Sequence, residues 1–355
     1  MVVINVGPDP PTSCILYQTD DASTLVVDIP RSIEESQVPP GHVHSPARRL
    51  VSVQPPSVPY DTPEPRTPSA LQFNKLPATQ VAELMTAAAV QSALADLGSS
   101  YSGPLCLPRV VGSRDYPSLP AATDGGGEQP QPFMPEGAVA LHGPLEQLNQ
   151  QVRDEAPRFD LVVLDPPWPN RSARRRRGTG TDTGGPGYST VRDLSAMRRL
   201  LLDHVPVPSH LRGNGLVAVW ITNKASVLDF VTAPSTGLLA SWELELVTEW
   251  TWLKVTTRGE PVYPVDSAWR KPWEKLLIAK RRGAPTPAGL GPRTIVAVPD
   301  VHSRKPNLRH LFSHVLQQRD LVGLDVFARN LTAGWWCWGD DVLQFQQAHH
   351  WKVDV

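Results

Sequence analysis

The chain of 355 residues holds only three cysteines, Cys14, Cys106 and Cys337. They are too few and too widely spaced for a disulfide framework or a zinc cluster, which fits a reducing compartment and leaves no metal expected. Long apolar runs are missing too; none approaches the ~20 residues that a membrane-spanning helix needs, so no membrane association is expected. The first residues lack a basic start followed by an apolar stretch, so no secretory signal is expected. There is no internal repeat. Proline is the opposite case: 38 of them, about half before residue 130, are too many for one uniformly folded globule.

The net charge of −1 hides an asymmetry. Residues 1–157 hold 8 Lys and Arg against 17 Asp and Glu, whereas residues 158–355 hold 26 against 18. A basic second half on a near-neutral chain fits either a surface that faces a polyanion or ordinary solubilising charge.

Residues 13–30 read as a β-hairpin turning at Thr19-Asp20-Asp21. Residues 36–70, rich in Pro and Ser with few large apolar anchors, read as a poorly ordered linker, and residues 77–97 as an alanine-rich helix. A glycine-rich stretch, 115–132, follows. From Phe159 the texture changes. Strand-like runs at 159–164, 216–222, 244–255, 276–280, 294–298 and 322–327 alternate with helical patterns at 191–204, 223–231 and 307–317. This alternation predicts a doubly wound α/β domain with a largely parallel sheet, in which ligands sit beyond the carboxyl ends of the strands. The expected division is an N-terminal accessory region, 1–135, and a catalytic domain, 136–355.

Asp165-Pro166-Pro167-Trp168 directly follows the apolar run 159–164 and so stands at such a strand end. These residue types suit an aromatic amine as substrate. The lone pair of adenine N6 is delocalised into the ring; a carboxylate accepting one N–H and a carbonyl accepting the other favour a tetrahedral, nucleophilic nitrogen. Asp165 and the carbonyl of Pro166 supply those acceptors. Pro166 and Pro167 fix the local backbone and remove competing N–H donors. Trp168 offers a face for base stacking, a contact of about 1–3 kcal/mol. The plainer alternative is that Pro-Pro merely ends a strand and Trp168 packs in the core.

The run 159–168 resembles the catalytic strand and loop of eukaryotic adenine-N6 methyltransferases of the MT-A type. Trp220-Ile221-Thr222-Asn223, Glu249-Trp250-Thr251-Trp252-Leu253-Lys254, the run 259–267, Lys271-Pro272-Trp273-Glu274, His302-Ser303-Arg304-Lys305-Pro306 and Phe327-Ala328-Arg329-Asn330 are similar to the methyltransferase-like protein four branch. The resemblance covers residue 158 onward. It implies a Rossmann-like class I methyltransferase fold with permuted motif order, S-adenosylmethionine as cofactor, and an RNA or DNA adenine as acceptor. In small nuclear RNA that acceptor would be a 2′-O-methyladenosine. Carried over, Lys305 would pair with the methionine carboxylate, Arg329 and Asn330 would hold the ribose hydroxyls, and Asp165 would lie near donor and acceptor. Tyr188, Trp252, Lys254, Glu274 and Ser303 occupy positions that resemble base contacts. Trp252 and Lys254 also alternate correctly for one strand face. Two positions depart from the pattern: Asp325 replaces the usual glutamate of the cofactor strand, and Asp340 replaces an asparagine, leaving an acceptor where the family has a donor.

Arg174-Arg175-Arg176-Arg177 lies in a glycine-rich segment just after the catalytic motif. It reads as a phosphate clamp, or else as a nuclear-localisation patch, which makes the nucleus the expected location, with the cytoplasm as alternative. An adenine inside a duplex cannot enter such a pocket, so the substrate should be single-stranded, bulged or flipped. The competing class is an inactive nucleic-acid-binding scaffold; the retention of Asp165, both prolines and Lys305 favours the enzyme. Nothing in the sequence encodes an oligomer, and a monomer is the expectation.

Overall fold

The central strand-like runs, such as 159–164 and 216–221, are nearly continuous in apolar residues, so each strand can bury both faces, as expected where helices cover both sides of a sheet. The computed structural model describes residues 13–41, 48–62, 77–112, 131–169, 191–267 and 270–353. Its strands are β1 (Ile15–Gln18), β2 (Thr24–Val27), β3 (Arg48–Ser52), β4 (Val110–Val111), β5 (Val139–His142), β6 (Phe159–Leu164), β7 (Leu211–Ile221), β8 (Leu244–Lys254), β9 (Trp273–Arg281), β10 (Arg293–Ala297), β11 (Gly323–Val326), β12 (Trp336–Gly339) and β13 (Trp351–Val353).

Ten of these form one sheet in the order β1-β2-β10-β8-β9-β7-β6-β11-β12-β5. All run the same way except β9, antiparallel to both neighbours, and β1, antiparallel to β2. The chain leaves β6 towards β7 on one side but returns to β11 on the other, so the strand order reverses at the β6–β11 junction. That is where an open α/β sheet presents its ligand crevice. Because β9 is reversed, its first residues, not its last, reach the same edge as the carboxyl ends of β6, β7, β8 and β10.

The two faces bury separate cores. Leu161, Val163, Ala218, Trp220, Trp252 and Ile278 pack on one face with Leu308, Leu311 and Phe312 around the helix Arg309–Leu316. Val162, Leu164, Val217, Val219 and Leu324 pack on the other with Met197 and Leu201 of the helix Leu194–His204. A third cluster joins Val90 and Leu97 of helix α2 (Pro77–Ser100) to Leu253, Trp273 and Val296.

The hairpin expected at 13–30 is present, but it does not form a separate layer: β2 extends the main sheet by pairing with β10. Helix α1 (Ile29–Ser36) follows at once, because Asp28 caps it by accepting from the Arg31 amide at 2.8 Å. Within the expected linker, Arg48–Ser52 is strand β3, paired with β13 and β4. It is tied to α1 by Glu34, which accepts from Arg49 Nε at 3.0 Å and the Leu50 amide at 2.8 Å. The sequence reading also left β5, β12 and helix α3 (Leu145–Glu155) without an assignment.

These N-terminal elements brace the edge loops. Ser32 Oγ accepts from the Asn307 amide at 2.9 Å, and Asn307 Nδ2 donates to Thr332 Oγ1 at 2.7 Å. Buried Gln37 donates to the Leu331 carbonyl at 2.9 Å and accepts from buried Gln346 at 3.0 Å. Asp300 accepts from the Val53 amide at 3.0 Å and from Arg304 Nη1 at 2.6 Å.

Candidate active site

The end of β6 delivers Asp165 to the crevice. In the ladder across the reversed strand, Trp252 of β8 lies opposite Glu274 of β9, and Trp220 of β7 lies opposite Leu276. Residues two apart share a face, so Trp220, Trp252, Lys254 and Glu274 all face one side of the sheet. Lys305 enters from the loop after β10. Its Nζ donates to Glu274 Oε2 at 2.6 Å and lies 3.4 Å from Asp165 Oδ1, while Lys254 donates to Glu274 Oε1. The result is a chain of alternating charge, Asp165–Lys305–Glu274–Lys254. Two indoles flank it: Lys305 Nζ is 5.1 Å from the Trp220 ring, Lys254 Nζ is 4.4 Å from the Trp252 ring, and the two rings meet edge-on at 6.0 Å.

Burial would raise the Glu274 carboxyl, but Lys305 and Lys254 outweigh it and hold the group at about 2, so it is an anion at any physiological pH. Burial alone would lower Lys305, yet Asp165 and Glu274 push it above its ordinary value, so it stays charged. Asp165 is raised by burial, against the pull of Lys305 and Arg329. That shift brings it closer to the range in which a carboxylate can take up a proton.

On the other side of Asp165 stand β11 and its loop. Asp325, inside β11, is pushed up to about 8 by burial and by the charge of Asp165. Phe327 directly follows the strand with φ +64°, and Ser303, facing it across the crevice, has φ +71°. A positive φ in a residue with a Cβ costs energy and is found where a surrounding structure enforces it. Arg329 Nη1 reaches back to the Ser303 carbonyl at 3.3 Å, joining the two strained turns. Asp165, Asp325, Lys305, Arg329 and Asn330 line one cavity that opens to solvent.

The fit of this cavity to S-adenosylmethionine rests on its donors. A methionine moiety needs a cation for its carboxylate and an anion for its ammonium and sulfonium; ribose hydroxyls need polar side chains. Lys305 retains a third N–H beyond its two anions, Asp165 supplies negative charge, and Arg329 and Asn330 stand on the same wall. Arg304, also in the wall, is buried, with Nε and Nη2 unpartnered among the described residues. The residues fit.

One expectation needs correction. Trp168 does not face the crevice: it is buried, its Nε1 donates to the Trp220 carbonyl at 2.8 Å, and its ring packs edge-on against Phe230 at 5.8 Å. The indole N–H found a partner in the strand beside it, which a residue half exposed for stacking would forgo. Asp340 does not line the cavity with Lys305 either. It lies with Pro167, Glu146 and Arg192 in a neighbouring space, and Phe327 borders both. The Pro166 carbonyl is fixed as expected, but by a backbone bond from the Trp168 amide at 2.7 Å in addition to the prolines. Trp252 is buried with its Nε1 unpartnered among the described residues. The Ser303 hydroxyl pairs with His302 Nδ1 at 2.8 Å. Tyr188 and Arg174, Arg175, Arg176 and Arg177 lie outside the described residues.

Sequence reasoning missed Trp220, Phe327 and Arg304. Trp220 was findable, since a period of two from Leu216 and Ala218 places it on the face of Trp252. Phe327 carried no local signal, because its role is conformational and phenylalanine does not advertise a positive φ.

Residues 159–341 match the MT-A70 family. The chain is 48% identical to N6-methyladenosine RNA methyltransferase MTA1 of Cryphonectria parasitica, over 95% of this chain and 94% of that one. It is 42% identical to the protein of the same name from Pyricularia oryzae, over 96% and 97% of the two lengths. The N(6)-adenine-specific methyltransferase METTL4 of Homo sapiens is 32% identical over 54% of this chain and 39% of its own length. The likeness to the two fungal proteins therefore takes in the N-terminal region as well as the segment from residue 158 onward.

Proposed function

The chain belongs to the MT-A70 family, and from that premise we propose that it transfers the methyl group of S-adenosylmethionine to N6 of an adenine in a nucleic acid, with RNA as the preferred polymer. The observation that carries this reading is the charge chain Asp165–Lys305–Glu274–Lys254 beside a fixed Pro166 carbonyl at the crevice.

When bound, S-adenosylmethionine supplies an electrophilic methyl on a sulfonium. The chain's own residues do the rest. Lys305, held by Asp165 and Glu274, would hold the methionine carboxylate through its remaining N–H, and Arg329 and Asn330 would hold the ribose. The Asp165 carboxylate accepts one N6–H and the Pro166 carbonyl accepts the other, which localises the nitrogen lone pair towards the methyl. As the N–C bond forms and the sulfonium S–C bond breaks to leave a neutral thioether, the nitrogen would carry an extra proton, and Asp165 Oδ is the base within reach. Trp220 and Trp252 give the purine an apolar wall, while Glu274 and Lys254 face its polar edge. Positioning of the two reactants in line accounts for most of the acceleration.

RNA is preferred because the fungal relatives matched over nearly their whole length are named for it. Arg174, Arg175, Arg176 and Arg177 serve as the phosphate clamp, the protein acts as a monomer, and the nucleus is its location. The test is transfer of labelled methyl to single-stranded RNA and DNA oligonucleotides, each with and without 2′-O-methylation at the target nucleoside. Transfer to adenine N6 that favours RNA is expected. Binding of the cofactor without transfer to any adenine-containing strand would overturn the reading.

A further inference from the structure

Beyond the end of β8 lies an aromatic group that the methyl-transfer machinery does not use. Past β8 the chain turns back, and the Val262 amide donates to the Lys254 carbonyl at 3.0 Å. The segment from the N-terminal region then adds a further rung: the Tyr60 amide donates to the Val262 carbonyl at 2.9 Å. Neighbouring extended segments lie about 4.8 Å apart, so the Tyr60 backbone stands about 10 Å from that of Lys254, whose side chain holds Glu274. Tyr60 packs its ring on Tyr263 with centroids 5.6 Å apart. Arg270 completes the group, with Nη1 donating to the Tyr263 hydroxyl at 3.0 Å and its guanidinium carbon 5.5 Å from that ring's centroid.

Exposure sets this group apart. Tyr60 is 43% and its neighbour Val58 58% exposed, so the Tyr60 ring is open to a partner. The charges near the group are mixed: Arg109, which acts on Tyr60, is paired with Asp300, and along the flanking sequence Arg258 and Lys271 alternate with Asp61, Glu260 and Asp266. Such a surface does not attract phosphate strongly. It does present what an unpaired base takes up: an exposed aromatic face backed by a guanidinium.

We propose that Tyr60, supported by Tyr263 and Arg270, stacks a base next to the target adenosine in a single-stranded nucleic acid, and so sets the enzyme's demand for an unpaired flanking nucleotide. This rests on the function proposed above. It also gives the N-terminal region a direct part in substrate selection. Stacking tolerates any base, because each has a π face, so Tyr60 requires a base but does not read its identity. Because the contact is not ionic, its loss leaves the salt dependence of binding unchanged.

The test is a double-mutant cycle on the full chain. Wild type, Tyr60→Phe and Tyr60→Leu are each titrated with fluorescein-labelled single-stranded RNA and DNA oligonucleotides carrying one adenosine. Each oligonucleotide is used intact and with an abasic site on either side of the target. For the intact strand, Tyr60→Leu should bind roughly 10-fold more weakly and Tyr60→Phe nearly as well as wild type. An abasic site on one side should cost wild type the same factor and cost Tyr60→Leu nothing further. Cofactor affinity and thermal unfolding serve as controls that a merely structural change would move. If the abasic and Tyr60→Leu losses multiply on both sides of the target, the stacking assignment is wrong while the function stands. If wild type methylates no adenine-containing strand, the function falls and the assignment with it. RNA and DNA arms that show the same coupling mean the base alone is read; coupling in neither polymer overturns the proposal.

Discussion

On the β7, β9 and β8 side of Asp165, the functional side chains are fixed by one another; on the β11 and β12 side, they are fixed by the backbone that carries them. Towards the acceptor, two lysines share Glu274, two indoles close around them, and every member except Lys305, which enters from the loop after β10, comes from a regular strand. Towards the donor, Phe327 and Ser303 hold left-handed conformations, Asp325 is half-buried in β11, and the Arg329 loop is pinned from behind by Gln37 and Gln346. The difference teaches where each half is vulnerable. Charge changes should disable the acceptor side; changes of protonation and loop bracing should disable the donor side.

The largest effect is expected where the two sides meet. Asp165→Asn keeps shape and removes the acceptor charge, so kcat should fall by about 10²–10⁴-fold, with a smaller loss of cofactor affinity. Single-turnover methyl transfer alongside calorimetry with the cofactor checks this; undiminished turnover refutes the role of Asp165. Next comes the acceptor side. Glu274→Gln leaves both lysines without their shared anion and should lower kcat/KM for the oligonucleotide by about 10- to 100-fold, in line with hydrogen bonds to charged groups of about 1.5–3 kcal/mol. Lys305→Ala should instead fall mainly on cofactor affinity. Identical patterns for the two variants would dissolve the distinction between the sides.

A third prediction concerns the donor side alone. Asp325 has an ordinary carboxyl value of 3.8 and is raised to about 8 in the folded chain. Between those values the folded chain keeps a proton that the unfolded chain has released, so stability falls as pH rises through that window. Asp325→Asn should flatten the decline in melting temperature between pH 6 and pH 9. A wild-type protein whose stability is level over that range would show that Asp325 is ionised. The smallest effect is expected at Trp168. Trp168→Phe loses the bond to the Trp220 carbonyl and should cost about 1 kcal/mol of stability with KM for the nucleic acid unchanged. A raised KM with no change in stability would return Trp168 to the substrate pocket.

Much of the second half was legible in the sequence because hydrophobic period and chain direction carry it. The strands from Phe159 to Val326 lie within a few residues of the expected ones, and Asp165 stands at a strand end as its motif implied. Trp252 and Lys254 share a face as their spacing required. What escaped was decided by tertiary partners. Trp336–Gly339 and Val139–His142 are four residues each, too short for a periodic signal, and become strands because they pair with β11 and with one another. Arg48–Ser52, in a proline-rich stretch, becomes a strand because Trp351 and buried Glu34 meet it from distant sequence and from α1. Trp168 escaped for the opposite reason: an indole beside a catalytic motif reads as functional until the carbonyl that takes its N–H is known.

The pairing of the first hairpin with β10 has a consequence for how the protein is made. Thr24 aligns with Thr294, so β2 waits 270 positions for the strand that covers its open edge. At ribosomal speeds of about 5–20 residues per second, that wait is roughly 15 to 55 s. The β3 strand waits longer still, for Trp351. Through that interval the nascent chain displays an unpaired apolar strand edge, the kind of surface that invites chaperones or aggregation. Yield of the protein in cells should therefore depend on translation rate and holdase supply more than on the stability of the finished sheet.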